Sequence, residues 1–203
     1  MSRRVVVVPT GTANTASVMA ALSRLGADPG IAADPGEVAR SDRVVLPGVG
    51  SFGAAISEIE RVGMRQALHE RVAEGLPTLA ICVGMQLLAG SSEESEGVDG
   101  LGIVDDPVRR FPGTVRVPQL GWNRVTADDR CRYVADGWAY FANSYRFETV
   151  PAGWSAATAD HGGRFVAALE KGRVVACQFH PELSGAWGSS LLGRWLSFDR
   201  VAA

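Results

Sequence analysis

The first half of the chain alternates between short apolar runs and longer amphipathic stretches. Residues 5–8, 44–46 and 78–82 are apolar runs too short for helices, and they predict buried strands. The spacing of apolar positions in residues 15–25 and 54–75 predicts helices after the first two strands. Strands and helices that alternate in this way predict a parallel sheet with helices on both faces, joined by right-handed crossovers.

Glycines set the ends of the predicted helices. Gly26 ends the first helix, and Gly63 interrupts the second. After the third strand, residues 85–88 resume an apolar pattern made of good helix formers, so a further helix is predicted there.

The second half of the chain has a different pattern. From Leu101 onward short apolar runs alternate with turns, which predicts antiparallel strands. Two of these runs, residues 165–170 and 173–179, flank a Lys-Gly pair and predict a hairpin. A last helix is predicted to begin near Ser189. With no repeat and no linker in the pattern, we predict one α/β domain over residues 1–203, with an antiparallel extension of the sheet.

Composition narrows the class of protein. The 203 residues are 46% hydrophobic and 21% charged, values typical of a soluble globular domain. The net charge of -2 predicts neither nucleic acid nor an anionic membrane as a partner. No apolar run reaches the ~18 residues of a transmembrane helix, and the first residues lack a signal-peptide pattern. Three widely spaced cysteines predict neither a disulfide framework nor a metal site, and they favour a reducing cytoplasm.

One cysteine lies where strand and helix meet. Cys82 ends the apolar run 78–82, and Gly84 leaves room for a sharp corner before the next helix. At such a corner the helix amides face the thiol, which favours a thiolate and offers donors to an oxyanion. The local pattern fits equally well a small apolar side chain that fills a gap in the core.

The histidines supply the candidate base. His69, on an amphipathic helix, and His161, in a turn, fit solvated side chains. His180 follows a buried run and precedes Pro181, so the strand ends there and the imidazole reaches the edge of the sheet. Glu182 is close enough in sequence to hold one ring nitrogen and leave the other facing a thiol. The alternative for this segment alone is a solvated turn.

Several segments together resemble a known family. CVGMQLL and QFHPE resemble the Cys–His–Glu triad of the class I glutamine amidotransferases. LPGVGSFGAAI and VPQLGWNRV narrow the resemblance to the glutaminase subunits of imidazole glycerol phosphate synthase. The resemblance covers nearly the whole chain. It implies a flavodoxin-like three-layer sandwich with a central, mostly parallel sheet, which agrees with the fold predicted above.

The resemblance assigns roles in the chemistry. Cys82 is expected to attack the side-chain amide of L-glutamine, with His180 as acid and base and Glu182 orienting the imidazole. The backbone amides of Val83 and Val49 are the expected oxyanion donors, the second after a peptide rotation. A plain loop between strand and helix is the alternative for the segment that holds Val49.

The resemblance also implies a substrate pocket. Its expected residues are Gly50, Gln86, Glu94, Ser144 and Tyr145. Glu94 is expected to take the ammonium group of glutamine, although its acidic surroundings also fit a solvated loop. No metal and no organic cofactor is expected.

A partner subunit is implied as well, namely the (β/α)8 cyclase subunit of the same synthase, in a heterodimer. Residues expected to meet it are Asn14, Gly121, Trp122, Asn123 and Leu183. Trp122 fits a core aromatic equally well.

The sequence departs from the family pattern near this surface. Where the family commonly has an Asp-Tyr-Gly type sequence, this chain has Pro9, Thr10 and Gly11. Two single residues also differ: Asn143 replaces a histidine, and Leu183 replaces a lysine. Three alternatives therefore stay open: a different acceptor synthase, a free-standing cysteine hydrolase on the same fold, and an inactive binding partner. The complete Cys–His–Glu set argues against the last.

Overall fold

A mixed sheet forms the centre of the computed structural model, which describes residues 3–11 and 15–197. Its strands in chain order are β1 (Arg3–Val7), β2 (Ala27–Ile31), β3 (Val44–Leu46), β4 (Thr78–Ile81), β5 (Arg109–Arg110), β6 (Gln119–Ala127), β7 (Gly137–Asn143), β8 (Tyr145–Arg146), β9 (Ser155–Asp160), β10 (Arg164–Lys171) and β11 (Val174–Cys177). The helices are α1 (Thr15–Arg24), α2 (Pro35–Arg40), α3 (Phe52–Arg61), α4 (Arg65–Ala73), α5 (Val83–Gln86) and α6 (Gly185–Ser197), with a 3₁₀ turn at Pro181–Leu183.

Five neighbouring strands make the parallel half of the sheet. Their order is β2–β1–β3–β4–β11, and every pairing among them is parallel. This is the flavodoxin-like order, in which the chain reverses direction across the sheet after β2. Right-handed crossovers then place α1 on one face and α2, α3 and α4 on the other, and α2 packs against α4. All residues of β3, β4 and β11 are buried because both faces are covered.

The antiparallel extension continues from β11 through β10, β9, β6 and β7. The hairpin predicted at the Lys-Gly pair joins β10 to β11, and Gly172 there has a φ of 61°. The single domain read from the sequence stays a prediction, but the predicted α/β class and its antiparallel extension are confirmed.

One strand–helix unit was missed by the sequence pattern. β2 has the sequence ADPGI, in which Pro29 and Gly30 weaken any strand signal, and such residues are tolerated because β2 is an edge strand paired only with β1 in the described sheet. The helix that follows, α2, is six residues long, so it shows little periodicity. Its start is fixed locally, since the Asp34 side chain accepts the Glu37 N–H at 2.8 Å.

Two predicted boundaries were wrong. The last helix begins at Gly185, not near Ser189, because it follows directly on the 3₁₀ turn and Gly188 packs against the Pro181 carbonyl. The helix expected at residues 85–88 is the single turn α5. It stops there because the Leu88 carbonyl accepts N–H groups from Ile103 and Val104 instead of continuing the helix. The break at Gly63 between α3 and α4 is confirmed.

Within residues 3–11 and 15–197, no helix combines the length and the apolar character that crossing a bilayer requires.

Candidate active site

Cys82 forms the corner between β4 and α5. Its φ of 53° and ψ of -112° make it the single non-glycine residue with positive φ in the described part of the chain. Such a backbone is sparsely populated for residues with a side chain. The corner is tight, because a Cβ on Gly84 would lie 2.0 Å from the Leu46 carbonyl oxygen. The sharp corner expected from the sequence is therefore present.

The sheet brings the second chemical group to the same edge. β4 and β11 are parallel neighbours, with Ile81 opposite Cys177. Cys82 follows β4 directly and His180 follows β11 after two residues, so both lie at the carboxyl ends of adjacent strands. The carboxyl edge of an open parallel sheet is where such folds bind ligands. The Cys82 N–H donates to the Cys177 carbonyl at 2.7 Å, which ties the corner to the end of β11.

His180 is held between a carboxylate and the thiol. Its Nδ1 lies 2.8 Å from Oε1 of Glu182, and the two side chains are only 8% and 5% exposed. The ring's other side-chain partner is Cys82. Burial lowers the pKa of His180, but the hydrogen bonds and negative charges of Cys82 and Glu182 outweigh it and raise the pKa to about 10. The protonated imidazole is therefore favoured, and it lies beside Cys82 as an acid.

The segment after β3 touches the corner through backbone atoms. The Val83 N–H donates to the Gly48 carbonyl at 3.3 Å. A Cβ on Gly48 would lie 2.6 Å from the Gly84 nitrogen, so no larger residue fits this approach. Because a trans peptide points its C=O and N–H in opposite directions, the Val49 N–H points away from the corner.

A cavity of about 100 Å³ opens beside the thiol. Cys82, Val83 and Asn143 line it together with all five residues that the resemblance implied for substrate, namely Gly50, Gln86, Glu94, Ser144 and Tyr145. Glu94 is more than a solvated loop residue, because its Oε2 accepts the Phe52 N–H at the start of α3 at 2.6 Å.

A second cavity, of about 220 Å³, lies on the side of His180 and Glu182. The Pro47–Val49 segment and Leu183 also border it, and Ala142 lines both cavities. Its lining is mainly apolar, and His180 and Glu182 contribute its ionisable side chains.

One buried polar residue near the thiol was not singled out by the sequence analysis. Gln178 is fully buried, and its Nε2 lies 3.6 Å from the Cys82 Sγ. Its Oε1 accepts from Gln86 Nε2 at 2.9 Å. The available signal was a lone amide in the otherwise apolar run 174–179.

The other thiols and histidines are placed differently. Burial, followed by the charge of Glu170, raises the pKa of Cys131 to about 11, and burial raises that of Cys177 well above the ordinary range. His69 is exposed, as expected. His161 lies in the turn between β9 and β10 and is partly exposed; its ring packs edge-on against Phe111, and its Nε2 lies 2.8 Å from the Arg116 carbonyl.

The outer face of the β6–β7 hairpin carries exposed apolar side chains. Leu120, Trp122 and Trp138 are 67%, 56% and 58% exposed. The reading of Trp122 as a core aromatic is therefore wrong. Side chains alternate along a strand, so Gly121 and Asn123 face the other side, where Asn123 donates to the Asp160 carbonyl.

Leu183 is 46% exposed at the end of the 3₁₀ turn that follows His180. Asn14, the remaining residue expected at the partner surface, lies outside the described residues. Across residues 3–11 and 15–197, no cluster of three or more His, Cys, Asp or Glu side chains could hold a metal ion.

Solved structures share this fold. A crystal structure of a glutamine amidotransferase superposes with a TM-score of 0.74 at 21% identity, covering 94% of this chain and 96% of that one. The PurLQS structure from Thermotoga maritima gives a TM-score of 0.74 at 16% identity, covering 97% and 98%. At these identities the likeness concerns the fold alone.

Sequence relatives are closer. The imidazole glycerol phosphate synthase subunit HisH of Escherichia coli K12 is 40% identical over 197 residues, covering 95% of this chain and 98% of that protein. The HisH subunit of Symbiobacterium thermophilum is 38% identical over 197 residues, covering 95% and 92%. The chloroplastic imidazole glycerol phosphate synthase hisHF of Arabidopsis thaliana is 37% identical over 195 residues, which are 92% of this chain and 33% of that protein. The family model described as glutamine amidotransferase class-I matches residues 7–195, and the chain belongs to that family.

Proposed function

We propose that this chain is the glutaminase subunit of an imidazole glycerol phosphate synthase. It hydrolyses L-glutamine to glutamate and ammonia in the cytoplasm and passes the ammonia to a (β/α)8 cyclase subunit in histidine biosynthesis. Identity of 38–40% to HisH subunits over 95% of the chain supports this assignment. The observation that carries it is the buried Cys82–His180–Glu182 arrangement beside a cavity of about 100 Å³.

The triad accounts for both halves of the hydrolysis. The Cys82 thiolate attacks the side-chain amide carbon, and the carbonyl electrons move to oxygen as the S–C bond forms. The protonated His180 then gives its proton to the departing nitrogen, which leaves ammonia and a glutamyl thioester. Neutral His180 takes a proton from water, the hydroxide attacks the thioester, and glutamate leaves as the thiolate is restored. Glu182 holds the ring orientation throughout.

The cavity supports recognition of a free amino acid. Its volume of about 100 Å³ is well below that of the usual site for drug-sized ligands. The Glu94 carboxylate is the charged acceptor for the ammonium group, with one oxygen anchored by α3. Gln86 and the Ser144–Tyr145 segment supply the remaining polar contacts.

The backbone around the expected oxyanion site suits an activity that is switched on by the partner. In this structure the Val83 N–H, one of the two proposed oxyanion donors, donates its hydrogen bond to the Gly48 carbonyl instead. Rotation of the peptide between Gly48 and Val49 would release that donor and turn the second one, the Val49 N–H, toward the corner. One such donor contributes about 10²–10³ in turnover. We therefore assign the rotation to the step that the partner and its substrate trigger.

The proposed partner surface is the apolar outer face of the β6–β7 hairpin together with Leu183. The cavity of about 220 Å³ borders both His180 and Leu183, so it offers ammonia a route from the triad toward this surface. A different acceptor synthase is the second candidate, favoured by Leu183 in place of a lysine.

The deciding experiment pairs this chain with the cyclase subunit from its own organism. The complex is expected to form imidazole glycerol phosphate from glutamine, and the Cys82→Ala complex only from added ammonia. A folded complex that uses ammonia but never glutamine would contradict the proposal. Ammonia transfer to another synthase alone would identify the second candidate.

A further inference from the structure

We propose that Gln178 is a further catalytic residue, whose side-chain amide donates a hydrogen bond to the Cys82 thiolate. The inference rests on the proposed function only in taking Cys82 as the nucleophile. Its basis is a buried chain of hydrogen bonds from Tyr145 through Gln86 and Gln178 to the sulfur.

The direction of this chain is fixed at one end by the backbone. The Tyr145 carbonyl can only accept, and Gln86 Nε2 donates to it at 3.2 Å. The same Gln86 nitrogen lies 2.9 Å from Gln178, so the facing atom of Gln178 has to be its oxygen. The amide nitrogen of Gln178 is then directed at the Cys82 Sγ, 3.6 Å away.

The complete burial of Gln178 indicates that its side-chain amide does more than fill space in the core. Gln178 is 0% exposed and follows the wholly apolar strand β11. A buried amide is unfavourable unless it is hydrogen-bonded, and an apolar side chain of similar length would fill the same volume without that requirement. The donor therefore has a use here, because a hydrogen bond to the charged form of a group favours that form. With His180 on one side, Gln178 gives the thiolate a second donor.

The test is the pH dependence of Cys82 alkylation by iodoacetamide in the full chain, followed by peptide mass spectrometry. Gln178→Met removes the donor and keeps the length of the side chain. Its alkylation midpoint is expected to rise by about one pH unit, so alkylation below that midpoint slows about tenfold. Gln178→Glu keeps an acceptor for Gln86 but places a carboxylate near the sulfur, and its midpoint is expected to rise further.

Gln119→Met is the matched control, because Gln119 is a buried glutamine on β6 that lines a different cavity. Its midpoint should equal that of the unaltered chain. The proposal is overturned if folded Gln178→Met keeps the original midpoint, or if Gln119→Met shifts as much as Gln178→Met. Should Gln178→Met fail to fold, Gln178→Leu, which also lacks the donor and adds no charge, is judged by the same criterion. A different result would show that the proposed function fails in taking Cys82 as the nucleophile. Iodoacetamide would then alkylate Cys131 or Cys177 first in the unaltered chain.

Discussion

Glu182→Gln separates orientation of the imidazole from binding of the substrate. The carboxylate lies 2.8 Å from His180 Nδ1, and both side chains are at least nine-tenths buried, so salt and solvent screen the pair only weakly. The amide of glutamine has the same shape but no charge, and it can offer a donor where the ring requires an acceptor. The corresponding change in an Asp-oriented triad lowers turnover by about 10⁴, and we expect a loss of about 10³–10⁴ in kcat here. KM for glutamine should change little, because Glu182 is placed against the ring and not in the substrate cavity.

The pH profile gives a second measure of the same change. His180 acts as an acid only while it is protonated, which is the case below its pKa of about 10. Glu182 is one of the groups that raise this pKa, so its loss lowers the pKa and moves the alkaline fall in activity to lower pH.

The assay is steady-state glutamate release by the complex with the partner, over a range of pH. Glu94→Gln is the contrasting variant, expected to raise KM more than it lowers kcat. A Glu182→Gln enzyme with raised KM and unchanged kcat would refute the reasoning and make Glu182 a substrate ligand.

Three further outcomes are expected. Cys82→Ala should abolish glutamine hydrolysis, whereas Cys131→Ser should retain it; residual glutaminase activity in Cys82→Ala contradicts the triad. Leu183→Lys should change the dissociation constant of the complex less than tenfold, because an exposed ion pair contributes about 0.2–1 kcal/mol; calorimetry that finds a thousandfold change would make Leu183 central to the interface. The free chain should hydrolyse glutamine at least about a hundredfold more slowly than the complex with partner and acceptor substrate, since the Gly48 carbonyl occupies a donor. Equal rates would favour the free-standing hydrolase.

The sequence predicted the parts of the fold that rest on strong local signals. The apolar runs that became β1, β3 and β4 are fully or largely buried, and the Lys-Gly hairpin has a glycine where the backbone requires positive φ. β2 escaped prediction because its stability comes from pairing with β1 at residues that alone favour a turn. The helix predicted at residues 85–88 is shortened to the single turn α5, because N–H groups from residues 101–104 bond to the carbonyls of residues 87–89 that follow it.

The residues of the candidate site likewise fall into two groups, those that the sequence pattern indicates and those that only the fold brings together. Cys82, His180 and Glu182 are visible in the sequence because corner and strand-end patterns are local, and the resemblance supplied the substrate residues. Gln178 became visible only through Gln86, which is 92 residues away in the chain. The contact of the Gly48 carbonyl with Val83 likewise depends on how β3 and β4 lie side by side.

The backbone of Cys82 has a consequence for the evolution and engineering of this protein. A side chain held at a φ of 53° and ψ of -112° costs about 1–3 kcal/mol of fold stability, a strain that glycine would relieve. Glycine also increases the conformational entropy of the unfolded chain, which favours unfolding by about 0.5–1 kcal/mol and offsets part of that relief. A Cys82→Gly chain should therefore melt at a higher temperature than Cys82→Ala, although both lack the thiol. Selection for thermal stability alone would favour glycine at this corner, so the cysteine, our proposed nucleophile, persists there only under selection for activity.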